Sequence, residues 1–262
     1  MWRYIRLYGY FLRFSFSRAM EFRIDFFFRI GMDILWNATY LTFFTVLFLH
    51  TGMLGGWNYD QVLVFAGTLF VTDALNMTIF ANNFWWFPVF VNKGDLDYHL
   101  VRPVSSLYFL SLRDFAANSF VNLLIAIGIL TWALLRYPEP LGAGSIGLFV
   151  ALIGLGAFIN YTLGMIFLLP VFWLHNAEGG RNLFWSLGQT TGRPHRIYTG
   201  AVFRVLTTIL PFALIASYPV DSLFGGAPAA TLMHMAAVAV CLFLVLNIFW
   251  RRALRAYSSA SS

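Results

Sequence analysis

Residues Ile146 to Trp173 read IGLFVALIGLGAFINYTLGMIFLLPVFW, without a single Asp, Glu, Lys or Arg. A run of that length crosses a hydrocarbon core, which takes about 20 residues of apolar helix. Its polar residues do not recur at every second position, so a barrel strand is excluded, and a helix is what satisfies its own backbone in lipid. Five further stretches have the same character: Met32 to Leu49, Val62 to Phe80, Leu107 to Leu135, Ala201 to Tyr218 and Thr231 to Trp250. The expected fold is all-α, an integral membrane six-helix bundle. Composition agrees, since 60% of the 262 residues are hydrophobic and 11% charged, where soluble domains carry about 25% charge.

The basic residues predict the orientation. Arg3, Arg6, Arg13, Arg18, Arg23 and Arg29 precede the first span, and Lys93, Arg102 and Arg113 surround the second-to-third connection. Arg181, Arg193, Arg196 and Arg204 fall near the fourth-to-fifth connection, and Arg251, Arg252 and Arg255 follow the last span. The loops Thr51 to Gln61 and Pro219 to Ala230 carry none, and Arg136 sits at the edge of Pro138 to Ser145. The positive-inside rule then places both termini in the cytoplasm. The net charge of +6 reads as a topology signal with some affinity for anionic lipid headgroups, not as nucleic-acid binding.

Residues 1–28 are apolar but interrupted by Arg too often to span, and they lack a signal-peptide cleavage site. Arg3, Arg6, Tyr10, Arg13, Ser17 and Glu21 recur at helical spacing, which suits a cytoplasmic elbow helix lying in the interface. Arg18, Glu21, Asp25 and Arg29 lie three and four apart, as pairs along one face would. The expected division is this elbow, a six-span unit over residues 29–257 with a charged connecting segment at 86–105, and a tail at 258–262.

Covalent chemistry finds little support. Cys241 is the lone cysteine, and His50, His99, His175, His195 and His234 form no HExxH or i,i+4 pair, so no metal site is expected. There is no GxSxG elbow. Lys93 is flanked by Asn92 and Gly94, so no Walker A loop exists, and no cofactor is expected in this chain.

Between spans two and three lies a charged island, Asn92-Lys93-Gly94-Asp95-Leu96-Asp97-Tyr98-His99-Leu100-Val101-Arg102-Pro103-Val104-Ser105. Trp85-Trp86-Phe87-Pro88 leads into it with interfacial aromatics and a helix breaker. Gly94 permits a turn, Asp95 is the expected N-cap, and Leu96 to Val101 make one or two helical turns before Pro103. Asp97, His99 and Arg102 would face a partner.

Polar residues within spans should face protein or water, because an ionised group at mid-bilayer costs roughly 2.5–3.5 kcal/mol. Asp73, Asn76 and Asn83 share one stripe of span two, and Asp114, Asn118 and Asn122 a stripe of span three. Each stripe is a candidate for pathway lining or for hydrogen bonding between helices. Asp33 lies four residues from Arg29, its expected partner. In span four, Gly147, Ala151, Gly156, Asn160 and Gly164 suggest a close-packing face. Pro211 should kink span five.

Lys93-Gly94-Asp95-Leu96-Asp97 followed by Leu100-Val101-Arg102-Pro103-Val104-Ser105 resembles the signature of the ABC-2 family of ABC transporter permeases. Arg193-Pro194-His195-Arg196-Ile197-Tyr198, Leu210-Pro211-Phe212-Ala213 and Pro219-Val220-Asp221-Ser222-Leu223-Phe224-Gly225 resemble its fifth span and outer turn. Trp250, Ala253-Leu254-Arg255 and Tyr257-Ser258-Ser259-Ala260 are similar to its closing motif. His195 stands where the family often has an aliphatic residue. The resemblance implies a non-enzymatic exporter subunit in a bacterial inner membrane, moving drugs, lipids or glycans. It implies pairing with a second permease, identical or companion, and with two cytoplasmic ATPase subunits that bind ATP and Mg. Asn92 to Ser105 would then be the coupling helix, docking the ATPase through Gly94, Asp95, Leu96, Asp97, His99, Leu100, Arg102 and Pro103. The competing expectation is a secondary carrier that takes a coupling ion on Asp73 or Asp114, although no inverted repeat is evident.

Overall fold

A computed structural model describes residues 2–19, 23–225 and 228–257. Glu21, the side chain of Asp25 and the tail 258–262 lie outside the described residues. The helices are α1 (Trp2–Ala19), α2 (Arg23–Phe48), α3 (Tyr59–Asn76), α4 (Asn82–Lys93), α5 (Asp97–Leu100), α6 (Ser106–Leu112) and α7 (Ala117–Arg136). They continue with α8 (Ala143–Leu168), α9 (Val171–Leu174), α10 (Glu178–Gly188), α11 (Gly200–Arg204), α12 (Ser217–Leu223) and α13 (Pro228–Ala256). The protein is an all-α bundle.

Among the described residues, five helices are long and apolar enough to cross a membrane: Phe26–Phe48, Tyr59–Lys93, Ala117–Arg136, Ala143–Leu174 and Ala229–Ala256. The stretch Tyr59–Lys93 is the central post. α3 and α4 run on through a π-helical turn, Met77–Ala81. α3 is buried from Val62 to Thr68 without interruption, as befits a helix apolar all round. Asn58 and Gln61 form a reciprocal capping box at its start. Gly67 lets α7 approach closely, since a Cβ there would lie 2.8 Å from the Leu130 Cα.

The chain departs from the hydropathy pattern at the expected fifth span. Ala201 to Tyr218 is not one helix: α11 passes into a π-helical turn, Val205–Ile209, and regular structure breaks at Leu210 and Pro211. Pro211 has no N–H to donate, so the helix ends and the chain turns back. His195, just before this segment, packs its ring on Trp57 at 6.1 Å. Asp221, near its end, pairs with Arg196, and Phe224 packs on Tyr137 at 4.6 Å. The segment thus begins and ends at the Trp57 end of the bundle, as a re-entrant hairpin. Its irregular backbone is tolerated because Phe212 to Ala216 are each at most 2% exposed.

The fifth passage lies upstream. Arg181 stacks on Trp85 near the Lys93 end, while Pro194, Arg196 and Ile197 border Gly55 at the opposite end. Glu178 to Ile197 therefore runs from one end to the other, as α10, a 3-10 turn at Gln189–Gly192, two extended residues and a second 3-10 turn at His195–Ile197. Arg193 and Arg196, expected beside the fourth-to-fifth connection at the Lys93 end, sit instead at the Trp57 end.

The small-residue face of α8 is divided. Gly156 receives the Ile215 carbonyl of the hairpin, and Gly164 receives the Phe84 ring. Gly147 meets nothing within 4 Å and Ala151 is exposed, so these two do not belong to a packed face.

Candidate functional site

The charged island forms a platform at the Lys93 end. α4 stops at Gly94, which adopts φ 79°, a conformation costly for any residue with a Cβ. The Leu96 N–H then bonds back to the Phe90 carbonyl at 3.1 Å. α5 is a single turn, shorter than expected, and its N-cap is Leu96 with no side-chain bond, not Asp95. Leu96 is fully buried beneath it and substitutes packing for capping.

His99 does not face outward. It is 7% exposed, between Phe90 at 5.4 Å and Phe109 at 5.0 Å. Arg113 Nη1 lies 2.9 Å from its Nε2. Because the guanidinium can only donate, His99 Nε2 accepts and the ring is neutral. Burial, then Arg113 and Arg102, hold its pKa down to about 4, with Asp95 opposing. Arg113 also stacks over Phe90 at 4.8 Å, and Arg102 over Phe109 at 4.7 Å. The outward residues are Tyr98, Leu100, Val101, Arg102 and Pro103, with Val101 83% exposed. Asp97 is half-buried beside Tyr257, whose hydroxyl is pushed up by burial and then by Asp97 and Asp95. The platform is thereby tied to the end of α13. It is also tied to the turn after α9, where Asn92 donates to the His175 carbonyl at 3.0 Å.

α1 clamps the far side. The Ser105 N–H donates to the Tyr4 hydroxyl at 3.3 Å and the Tyr108 hydroxyl to the Tyr4 carbonyl at 2.9 Å. Ser15 accepts from the Phe115 N–H at 3.1 Å, and Arg18 pairs with Asp114 at 2.5 Å.

The two polar stripes do not survive intact. Asp73 is exposed on the outside of the bundle while Asn76 and Asn83 are buried, and a π-helical turn changes the helical phase between these last two. The proximity of Asp33 on α2 to Asp73 puts two carboxylates on that outer face. Asp114 is not on a spanning helix, because α6 and α7 are separated by Arg113 to Ala116. Asn83 exchanges two bonds with the Asp114 backbone, at 2.8 and 3.0 Å, and stitches α4 to that break. Asn122 accepts from Asn37 at 3.2 Å, a buried bond between α7 and α2. Asn118 reaches only Ser119, at 3.5 Å.

A family model for ABC-2 family transporter proteins matches residues 34–261. The chain belongs to the ABC-2 transporter family. No curated protein and no solved structure matches it. As an ABC-2 protein it is a multi-pass membrane component of a transporter, and the match covers all of the platform and all but the first helix and part of the second. Several residues that hold this ABC-2 bundle together escaped the sequence patterns. Asn37, Ser15 and Thr191, which donates to the Phe212 carbonyl at 3.2 Å, are isolated polar residues whose partners are distant in sequence. An unpaired Asn or Thr inside an apolar run is the signal that could have found them. Among the described residues no group of three or more His, Cys, Asp or Glu could hold a metal ion.

Proposed function

We propose that the chain is the permease subunit of an ATP-driven exporter, with the platform at residues 92–105 as the surface on which a separate ATPase subunit docks. The observation that carries this is the contrast within the platform. Tyr98, Leu100 and Val101 are exposed around Arg102, while His99, Leu96 and Phe109 beneath them are buried. An exposed apolar and aromatic group beside an Arg, on a fixed base, has the composition of the centre of a protein interface.

The platform continues the central post directly, so a push on α5 reaches α4 through Gly94. ATP and Mg would be bound by two ATPase subunits, whose closure moves the platform and shifts the bundle between access states. The cargo is a hydrophobic or amphipathic compound, a lipid or a glycan. Asp73, exposed, and Asp33, half-buried beside it, suit a face covered by a second permease, identical or companion, or by water. The carrier alternative is weakened at Asp114, which Arg18 and Asn82 already engage.

The Lys93 end is the cytoplasmic one in this proposal, in an inner membrane. Arg136, Arg193 and Arg196 lie at the other end, against Lys93, Arg102, Arg113, Arg251, Arg252 and Arg255 at or near this one, so the count of basic residues still favours this orientation. Purification of the tagged chain in mild detergent, with mass spectrometry of what accompanies it, tests the assembly. Recovery of an ATPase carrying a Walker A loop is expected. Repeated recovery of the chain alone, where a known ABC complex stays intact, would overturn the proposal.

A further inference from the structure

A cleft opens between α4, α8 and α10, bounded by Asn76, Phe84, Trp85, Arg181, Phe184 and Trp185. Three features set it apart from an ordinary gap between helices. First, Arg181 sits at its rim, 4.3 Å over the Trp85 ring, and no carboxylate among the described residues pairs with it. Second, Asn76 is 6% exposed, yet its Oδ1 is buried with no hydrogen-bond partner. An acceptor left unsatisfied in an apolar wall costs about 1–3 kcal/mol, which a donor on a ligand would recover. Third, Asn76 directly precedes the π-helical turn Met77–Ala81, an irregularity common where helices build sites.

The rest of the wall is aromatic, with Trp85 53% and Trp185 40% exposed at the opening. Gly164 lets the Phe84 ring lie directly against α8 at the wall of the cleft, since a Cβ there would be 2.5 Å from Phe84 Cε2. We propose that this cleft binds an amphipathic anion, its acidic group on Arg181, its apolar chain among the aromatic rings, and a hydroxyl or amide N–H of the ligand donating to Asn76 Oδ1. A free acylated acid and an anionic phospholipid headgroup share that chemistry. The inference concerns binding and stands whether or not the chain works with an ATPase.

The test uses the full chain alone in detergent, so its outcome is separate from that of the co-purification. Three probes carry a diazirine in the acyl chain: an N-acylglycine, the neutral N-acyl ethanolamide, and a phosphatidylglycerol. After illumination, labelled peptides are mapped by mass spectrometry. The acidic probes are expected to label residues 82–93 and 178–188 about tenfold more than the ethanolamide, as one charge-assisted hydrogen bond implies. Stronger labelling by the acylglycine identifies a free acid, and by the phosphatidylglycerol a membrane lipid; either supports the site. Arg181→Gln should erase the preference and Arg181→Lys should keep much of it. Equal labelling by the acids and the ethanolamide, or labelling confined to other segments, would overturn the proposal, and that comparison needs no variant to fold.

Discussion

Acidification should loosen the platform through His99. In the closed segment its pKa is held down to about 4, against the ordinary histidine value of 6.5, and an opened segment exposes the ring to water. The stabilisation is therefore complete above pH ~6.5, declines as the opened form takes up a proton, and is gone below pH ~4. Protonation would also place a cation between Arg113 and Arg102 and remove the Nε2 acceptor that Arg113 Nη1 uses. At about pH 5 the linkage removes roughly 2 kcal/mol at face value, and solvent screening of a surface segment lowers this to about 1.4 kcal/mol, or tenfold. Hydrogen exchange of the full chain in detergent measures it, comparing Leu96 to Leu110 with α7 as an internal reference between about pH 7.5 and about pH 5. The platform amides should lose about tenfold in protection relative to α7. His99→Gln retains an oxygen acceptor for Arg113 and cannot titrate, so its protection should be independent of pH in this range. A pH-independent wild-type chain, or the same loss in His99→Gln, would refute the reasoning.

Gly156→Ala sets a methyl group against the Ile215 carbonyl of the hairpin, and this overpacking should cost about 1–3 kcal/mol. It would appear as a lower melting temperature in detergent, while Gly154→Ala, which meets nothing within 4 Å, leaves it unchanged. Removing the Asn37–Asn122 bond by Asn122→Leu should cost about 0.6 kcal/mol. The double variant with Asn37→Leu should be no less stable than that single one, by chemical denaturation. Charge reversal at Asp97→Lys together with Arg102→Glu should leave insertion intact and uncouple ATP hydrolysis from transport in reconstituted vesicles; unchanged coupling would remove this segment from the docking surface.

Much of the bundle was legible because lipid imposes one demand on every residue of a span. Ile146 to Trp173 needed only its apolar length to be placed as a helix. The same criterion missed the fifth passage because α10 is flanked by Glu178 and Arg181 at its start and Arg193 after it, charges that lower any window average. It selected Ala201 to Tyr218, which is apolar for another reason: Phe212, Leu214 and Ile215 are buried against α8, not against lipid. Hydropathy reports that a segment avoids water and does not report whether lipid or protein replaces it. Pro211 marked the difference locally, but its consequence, reversal in place of a kink, depends on Thr191 and Gly156 meeting the unwound backbone.

The functional positions were legible to the degree that they depended on neighbours in sequence. Gly94 could be placed in a turn from its lack of a Cβ, and it sits in one. His99 was assigned to a partner because a histidine in a charged loop resembles a ligand, whereas Phe90 and Phe109, nine residues before it and ten after, enclose it. The stripe Asp73, Asn76 and Asn83 assumed an unbroken 3.6-residue period, and the turn Met77–Ala81 breaks that period between the second and third members. Within α3 itself Asp73 is exposed while Asn76, three residues on, is buried at the cleft, along a helical run that ends in the platform. A displacement of α4 transmitted through Gly94 would reach Trp85 and Phe84 before it reaches Asn76, so the cleft lies on the direct mechanical route from the platform. The irregular turn, not the regular helix on either side, is where that displacement can be absorbed without breaking the packing of α3 against α7.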